Sequence, residues 1–155
     1  MRPSKLTMLA LVAILGIFIG TAIAGHRPSP TVDFAARGRV GHLDASNQRV
    51  KVERTKGSAD HAVVGLTFVP GASTGWHRHP GVVLVTVASG RLQVVHTDCE
   101  KTVYEAGESF YEEGDVHVAR NVWDEDTVIY ATWIMPSGEQ DLTIPASTPE
   151  DCQIH

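Results

Sequence analysis

Cysteine is scarce in this chain of 155 residues: Cys99 and Cys152 are the only two, and they form no Cys-x-x-Cys pair. Blocks of basic residues are missing too. The formal net charge is −5, which excludes the clustered Lys and Arg surface that tracks nucleic-acid phosphates. No amphipathic helical period persists for three turns, and no long internal repeat or low-complexity tract is visible. Hydrophobic residues make up 43% and charged residues 20%, a balance that supports an ordinary core and removes disorder as the default. The length leaves room for one domain.

One long apolar run is present, and it lies at the start. Arg2 and Lys5 precede the apolar stretch from Leu6 to Ala22, and Ala22-Ile23-Ala24 supplies a small-x-small cleavage pattern. This is the layout of a secretory signal peptide over residues 1–24. The alternative is an uncleaved membrane anchor, since Leu6 to Ala24 almost spans a bilayer; Gly16, Gly20 and the Ala-x-Ala ending favour cleavage. Either way the folded part is expected outside the cytoplasm, periplasmic or extracellular, with no stable membrane insertion once the leader is removed. In an oxidising compartment an even cysteine count predicts one disulfide, Cys99 to Cys152, tying the C-terminal tail to the body of the fold. Two unpaired thiols, or a reactive one at Cys99, are the alternative.

Residues 25–33 read as a flexible linker, and residues 34–155 as a single all-β domain with a C-terminal tail. Short segments rich in β-branched residues alternate with turns. Val40–Leu43 and Arg49–Arg54 flank a hairpin turn at Asp44–Asn47. Ala62–Val69 is followed by Pro70-Gly71, and Val82–Val87 is an apolar run suited to a strand covered on both faces. Arg91–Thr97, Thr102–Tyr104, Ser109–Tyr111, Val116–Ala119 and Val128–Met135 complete the set. Many strands at close spacing with glycine turns indicate a sandwich or barrel.

Histidine carries the chemistry. His77 and His79 are two apart, so on a strand both rings face the same side while Arg78 faces away. Such a pair alone says little. A third, His117, follows Gly107 and Gly114. With these residues in place the chain resembles the cupin superfamily. Gly71, His77, His79 and Gly90 match its first motif, and Gly107, Gly114, His117 and Asn121 match its second, with Glu112 where proline is usual. The resemblance implies a jelly-roll (double-stranded β-helix) barrel with a metal inside, held by His77, His79 and His117, and it implies a homodimer. The family's glutamate ligand falls on Val83, flanked by apolar Val82 and Leu84, so the usual set is reduced to three histidines.

Neutral imidazoles leave the charge of a bound divalent ion uncompensated, which makes the centre a stronger Lewis acid with open positions. Fe, Zn, Ni, Cu and Mn all remain candidates. Three functions follow: a dioxygenase-type oxidoreductase acting on a small oxygenated compound, a non-catalytic binder of a sugar or organic acid, and a metal-free structural barrel. Among other residues, His96 is expected to be packed or on the surface rather than a base beside the metal. Trp76, Tyr104 and Trp133 are expected in the core rather than lining a pocket. Glu112 and Glu113 are expected at a solvated turn. His26, His42, His61 and His155 lie outside the motifs and take no role.

Overall fold

Alternation of inward and outward side chains, clearest over residues 82–89 and 127–136, builds this chain into two facing antiparallel sheets. The computed structural model describes residues 27–52 and 56–152. The leader over 1–24, together with His26, Arg54 and His155, lies outside the described residues. Every regular element among those described is a strand: β1 Thr31–Gly41, β2 Ala45–Ser46, β3 Lys51–Val52, β4 Ala59–Phe68, β5 His77–Arg78, β6 Val82–Ser89, β7 Arg91–His96, β8 Lys101–Glu105, β9 Ser109–Glu112, β10 His117–Arg120, β11 Thr127–Pro136 and β12 Ile144–Pro145. No helix of the described residues is long and apolar enough to cross a membrane.

One sheet has the order β1-β4-β11-β6-β9 and the other β12-β5-β10-β7-β8, while β2 and β3 form a separate hairpin. This is the all-β jelly-roll that the strand pattern and motifs predict. Between the sheets lies a core to which β4 contributes Ala62, Val64 and Phe68, β6 contributes Val83, Val85 and Val87, and β11 contributes Ile129, Ala131, Trp133 and Met135. Each large side chain of that set stabilises the fold by about 1.5–3 kcal/mol relative to its exposure.

Three expectations are corrected. The β6 run is covered on one face only: Val83, Val85 and Val87 are buried while Val82 and Leu84 are exposed. An antiparallel sheet packed on one side of a core leaves its other side in water, whatever the hydrophobicity of the residues there. The early hairpin turns later than expected, because the Asn47 side chain accepts the backbone N–H groups of Arg49 and Val50 and so places β2 in the stretch assigned to the turn. Finally, Thr31–Asp33 belong to β1, whose partners on β4 run from Thr67 to Ala59, and not to a linker.

Two motif residues have structural duties. Gly90 joins β6 to β7 at φ +74°, and a Cβ there would lie 2.6 Å from the Asp126 carbonyl oxygen, so glycine is required on both counts. Asn121 is buried, braces the β10–β11 connection and ties it to the end of β4: its Nδ2 donates to the carbonyls of Phe68 and Glu125, and its Oδ1 accepts from the Trp123 N–H. Asn121→Ala strands these partners inside the protein and is expected to cost about 2–4 kcal/mol, read as a lower urea midpoint with an unchanged slope.

The predicted disulfide is present, with Cys99 and Cys152 53 residues apart and their Cα atoms separated by 5.3 Å. It fastens the tail to the turn between β7 and β8. Before reaching it, the tail pairs through Ile144 and Pro145 with Arg78 and His77.

Candidate metal centre

His77 lies on β5, His117 on the adjacent β10, and the two are direct partners across that ladder. His79 follows two residues after His77 and turns to the same side. The three rings meet inside the barrel with centroids 4.4 Å (His77–His117), 4.8 Å (His77–His79) and 5.1 Å (His79–His117) apart. One nitrogen from each ring lies within 4.8 Å of the others, an arrangement that fits a metal ion. All three residues are buried.

The opposite edges of the rings fix their chemistry. His77 Nδ1 lies 2.9 Å from the Gly75 carbonyl oxygen, His79 Nδ1 2.8 Å from that of Leu142, and His117 Nδ1 2.8 Å from that of Asp115. A carbonyl oxygen only accepts, so each Nδ1 carries the hydrogen and donates it. The Trp133 indole nitrogen lies 3.2 Å from His79 Nδ1, but one nitrogen cannot both donate and accept there, and the shorter contact decides. As a neutral imidazole every ring therefore keeps its Nε2 lone pair free, the tautomer that metal-ligating histidines need. His117 Nε2 is buried with no hydrogen-bond partner. Such an orphaned acceptor fits a bound cation.

A fourth side chain shares the space. Glu112, at the end of β9, is only 8% exposed, and its two carboxylate oxygens lie 3.0 Å from His79 Nε2 and 3.0 Å from His117 Nε2. This corrects the expectation of a solvated turn. Along β9 the burial alternates, Ser109 and Tyr111 facing out and Phe110 and Glu112 facing in, and a positive φ at Gly114 (+96°) turns the chain towards His117 only after Glu112 has been drawn inside. The period of two was available in the sequence; the pair of glutamates beside a glycine obscured it.

Burial raises the Glu112 pKa, but with no ion bound the His117 and His79 rings, when protonated at Nε2, donate to its oxygens and add positive charge, which outweighs burial and brings it to about 2. Burial, reinforced by the neighbouring rings, drives His77 down to about 4, so it is neutral at physiological pH. For His117, burial works downward and the adjacent Glu112 carboxylate upward; the carboxylate prevails and the pKa is raised.

Two spaces adjoin the cluster. On the inner side is a largely apolar cavity of about 60 Å³ whose lining includes Val83, Phe68, Ile129 and Trp133. Val83, where the family's glutamate falls, is fully buried and faces this cavity. On the outer side Glu112 and His117 form part of a groove of about 500 Å³ with His96, Tyr104, Phe110 and Glu113. Tyr104 stacks on Phe110 with ring centroids 4.0 Å apart, so it lines a groove as well as packing. His96 is the direct partner of His117 across β7 and β10, half-buried, with its ring 6.3 Å away. Trp133 is core, as expected, yet also borders the cluster. Trp76 lines neither space, and Glu113 and His42 are exposed.

Residues 66–135, from β4 to β11 and including every residue of the cluster, match the family described as Cupin domain. Over those residues the chain is a cupin domain. Among solved structures, this cupin is similar to a cupin domain from Bordetella pertussis Tohama I at 25% identity, covering 72% of this chain and 99% of that one with a TM-score of 0.48. It is also similar to a double-stranded β-helix protein from Klebsiella pneumoniae (22% identity, 72% and 85% covered, TM-score 0.46). A third is the DMSP lyase DddQ from Ruegeria pomeroyi DSS-3 (16% identity, 58% of this chain and 44% of that one, TM-score 0.49). No curated protein matches the chain.

Proposed function

We propose that this cupin is an exported protein that holds one divalent transition metal through His77, His79 and His117 and acts as a dioxygenase-type oxidoreductase on a small oxygenated compound. The observation that carries the metal is the shared tautomer: three Nδ1 atoms donate to backbone carbonyls, which presents three Nε2 lone pairs to one point. Packed histidines without a metal have no need of that agreement. Bound there, a redox-active ion would supply a Lewis acid and an electron relay for a substrate and dioxygen.

The chain's own groups set where a substrate sits. The inner cavity is far too small for an organic molecule, whereas the outer groove is large enough and opens beside His117 and Glu112. Tyr104 and Phe110 give that groove an aromatic wall, and Tyr104, its pKa raised by burial and by Glu112 and Glu108, keeps its hydroxyl proton to donate to a substrate oxygen. Export is supported by the leader pattern at Ala22-Ile23-Ala24 and by the Cys99–Cys152 disulfide, which persists in an oxidising compartment.

The test is elemental analysis of full-length protein purified without a metal-affinity tag. Close to one equivalent of transition metal is expected, and metal-replete protein that stays empty removes the proposal. Oxygen uptake by the loaded protein against diketones, catechols and thiols then separates turnover from binding, because a module that only holds a sugar or organic acid consumes none.

A further inference from the structure

We propose that Glu112 is a fourth metal ligand, a carboxylate transferred from β6 to the neighbouring strand β9; this rests on the three-histidine centre proposed above. The position where the resemblance places a glutamate, Val83, is the direct Cα partner of Glu112 in the β6–β9 ladder. Residues directly opposite in an antiparallel pair point to the same face with their Cβ atoms about 5 Å apart. A glutamate on β9 therefore addresses the same point as one on β6, approached from the adjacent strand. Val83 and Glu112 are both buried, so the exchange keeps the volume facing the cavity apolar on one side and acidic on the other.

The electrostatics demand a cation. Each Nδ1 holds its hydrogen on a backbone carbonyl, so His79 and His117 direct Nε2 lone pairs at the Glu112 oxygens, 3.0 Å away on each side. Lone pair facing lone pair is repulsive, and a buried carboxylate without compensation is costly. Something positive must lie between them, either protons on the rings or a metal ion. A metal ion satisfies both contacts together and also His77 and the orphaned His117 Nε2. The spacing is that of donors sharing an ion: at about 2.1 Å from it, two donors sit about 3.0 Å apart at right angles and about 3.4 Å apart at the tetrahedral angle. The centre then holds three nitrogens and one oxygen, with part of the ion's charge neutralised, which moderates its Lewis acidity relative to three histidines alone.

Zn(II) affinity, measured by chelator competition on the full chain, tests this. Glu112→Gln and Glu112→Val should each weaken binding more than about 100-fold, beyond the loss typical of groups that merely orient a ligand. The double variant Val83→Glu/Glu112→Val, which returns the carboxylate to β6, should recover most of it. Circular dichroism of the metal-free variants establishes that they are folded. A folded Glu112→Gln that binds within threefold of wild type overturns the inference and leaves the histidine centre standing, as does a folded double variant no tighter than Glu112→Val. Wild-type protein that takes up no Zn(II) overturns both. Should the variants not fold, an anomalous-diffraction map of Zn(II)-loaded wild type decides: a Glu112 oxygen at about 2.0–2.2 Å from the ion is expected, and one beyond about 3 Å refutes it.

Discussion

His117→Ala is expected to abolish stoichiometric metal while leaving the barrel folded. The ring is the shared member of the cluster: it partners His77 across β5–β10, lies 3.0 Å from Glu112, and borders both the inner cavity and the outer groove. Its removal takes away one of three nitrogen donors, and leaves Glu112 with His79 alone. A two-histidine remnant should bind a divalent ion at least about 100-fold more weakly. The fold should survive because Val118 and Ala119, the residues of β10 that pack beside it, are unchanged and buried. The truncation itself is expected to cost about 2–4 kcal/mol. Metal analysis on the purified variant, paired with its thermal unfolding, separates the two effects: a folded variant that retains a full equivalent of metal would remove His117 from the ligand set.

Breaking the disulfide should give the largest loss of stability. A closed loop of 53 residues corresponds to about 4 kcal/mol in the chain-entropy model, and for a domain of this size that lowers the melting temperature by on the order of 15 °C. Cys99→Ser/Cys152→Ser is the variant to measure, and reduced wild type should melt at about the same temperature. A shift of only a degree or two would show that the tail is held by its pairing with β5 and not by the covalent link.

Most of the strands and the three histidines were legible because both depend on short-range spacing. A His-x-His pair has to face one side of a strand, and glycines at Gly71, Gly90, Gly107 and Gly114 have to turn the chain where φ is positive. What was not legible lies across the ladder instead of along the chain. Two departures from the family pattern, Val83 without a carboxylate and Glu112 in place of proline, read as separate oddities 29 positions apart. In the sheet they are one pair in direct register. The exposure of Val82 and Leu84 was hidden for a similar reason, since an apolar run does not say which of its faces another layer will cover. The hairpin slip at Asn47 arose from a side-chain hydrogen bond that competes with the backbone ladder, a local choice that composition leaves open.

The tail has a further meaning for how the molecule is put together. His79 owes its orientation to the carbonyl of Leu142, 63 residues downstream, and the strand bearing His77 is flanked by Ile144 and Pro145. His79 thus emerges well before the carbonyl that aims it, whereas Gly75 and Asp115 directly precede the rings they hold. A nascent chain stopped before Leu142 would carry all three rings with one of them unaimed, so assembly of the centre is timed by the last strand to be added.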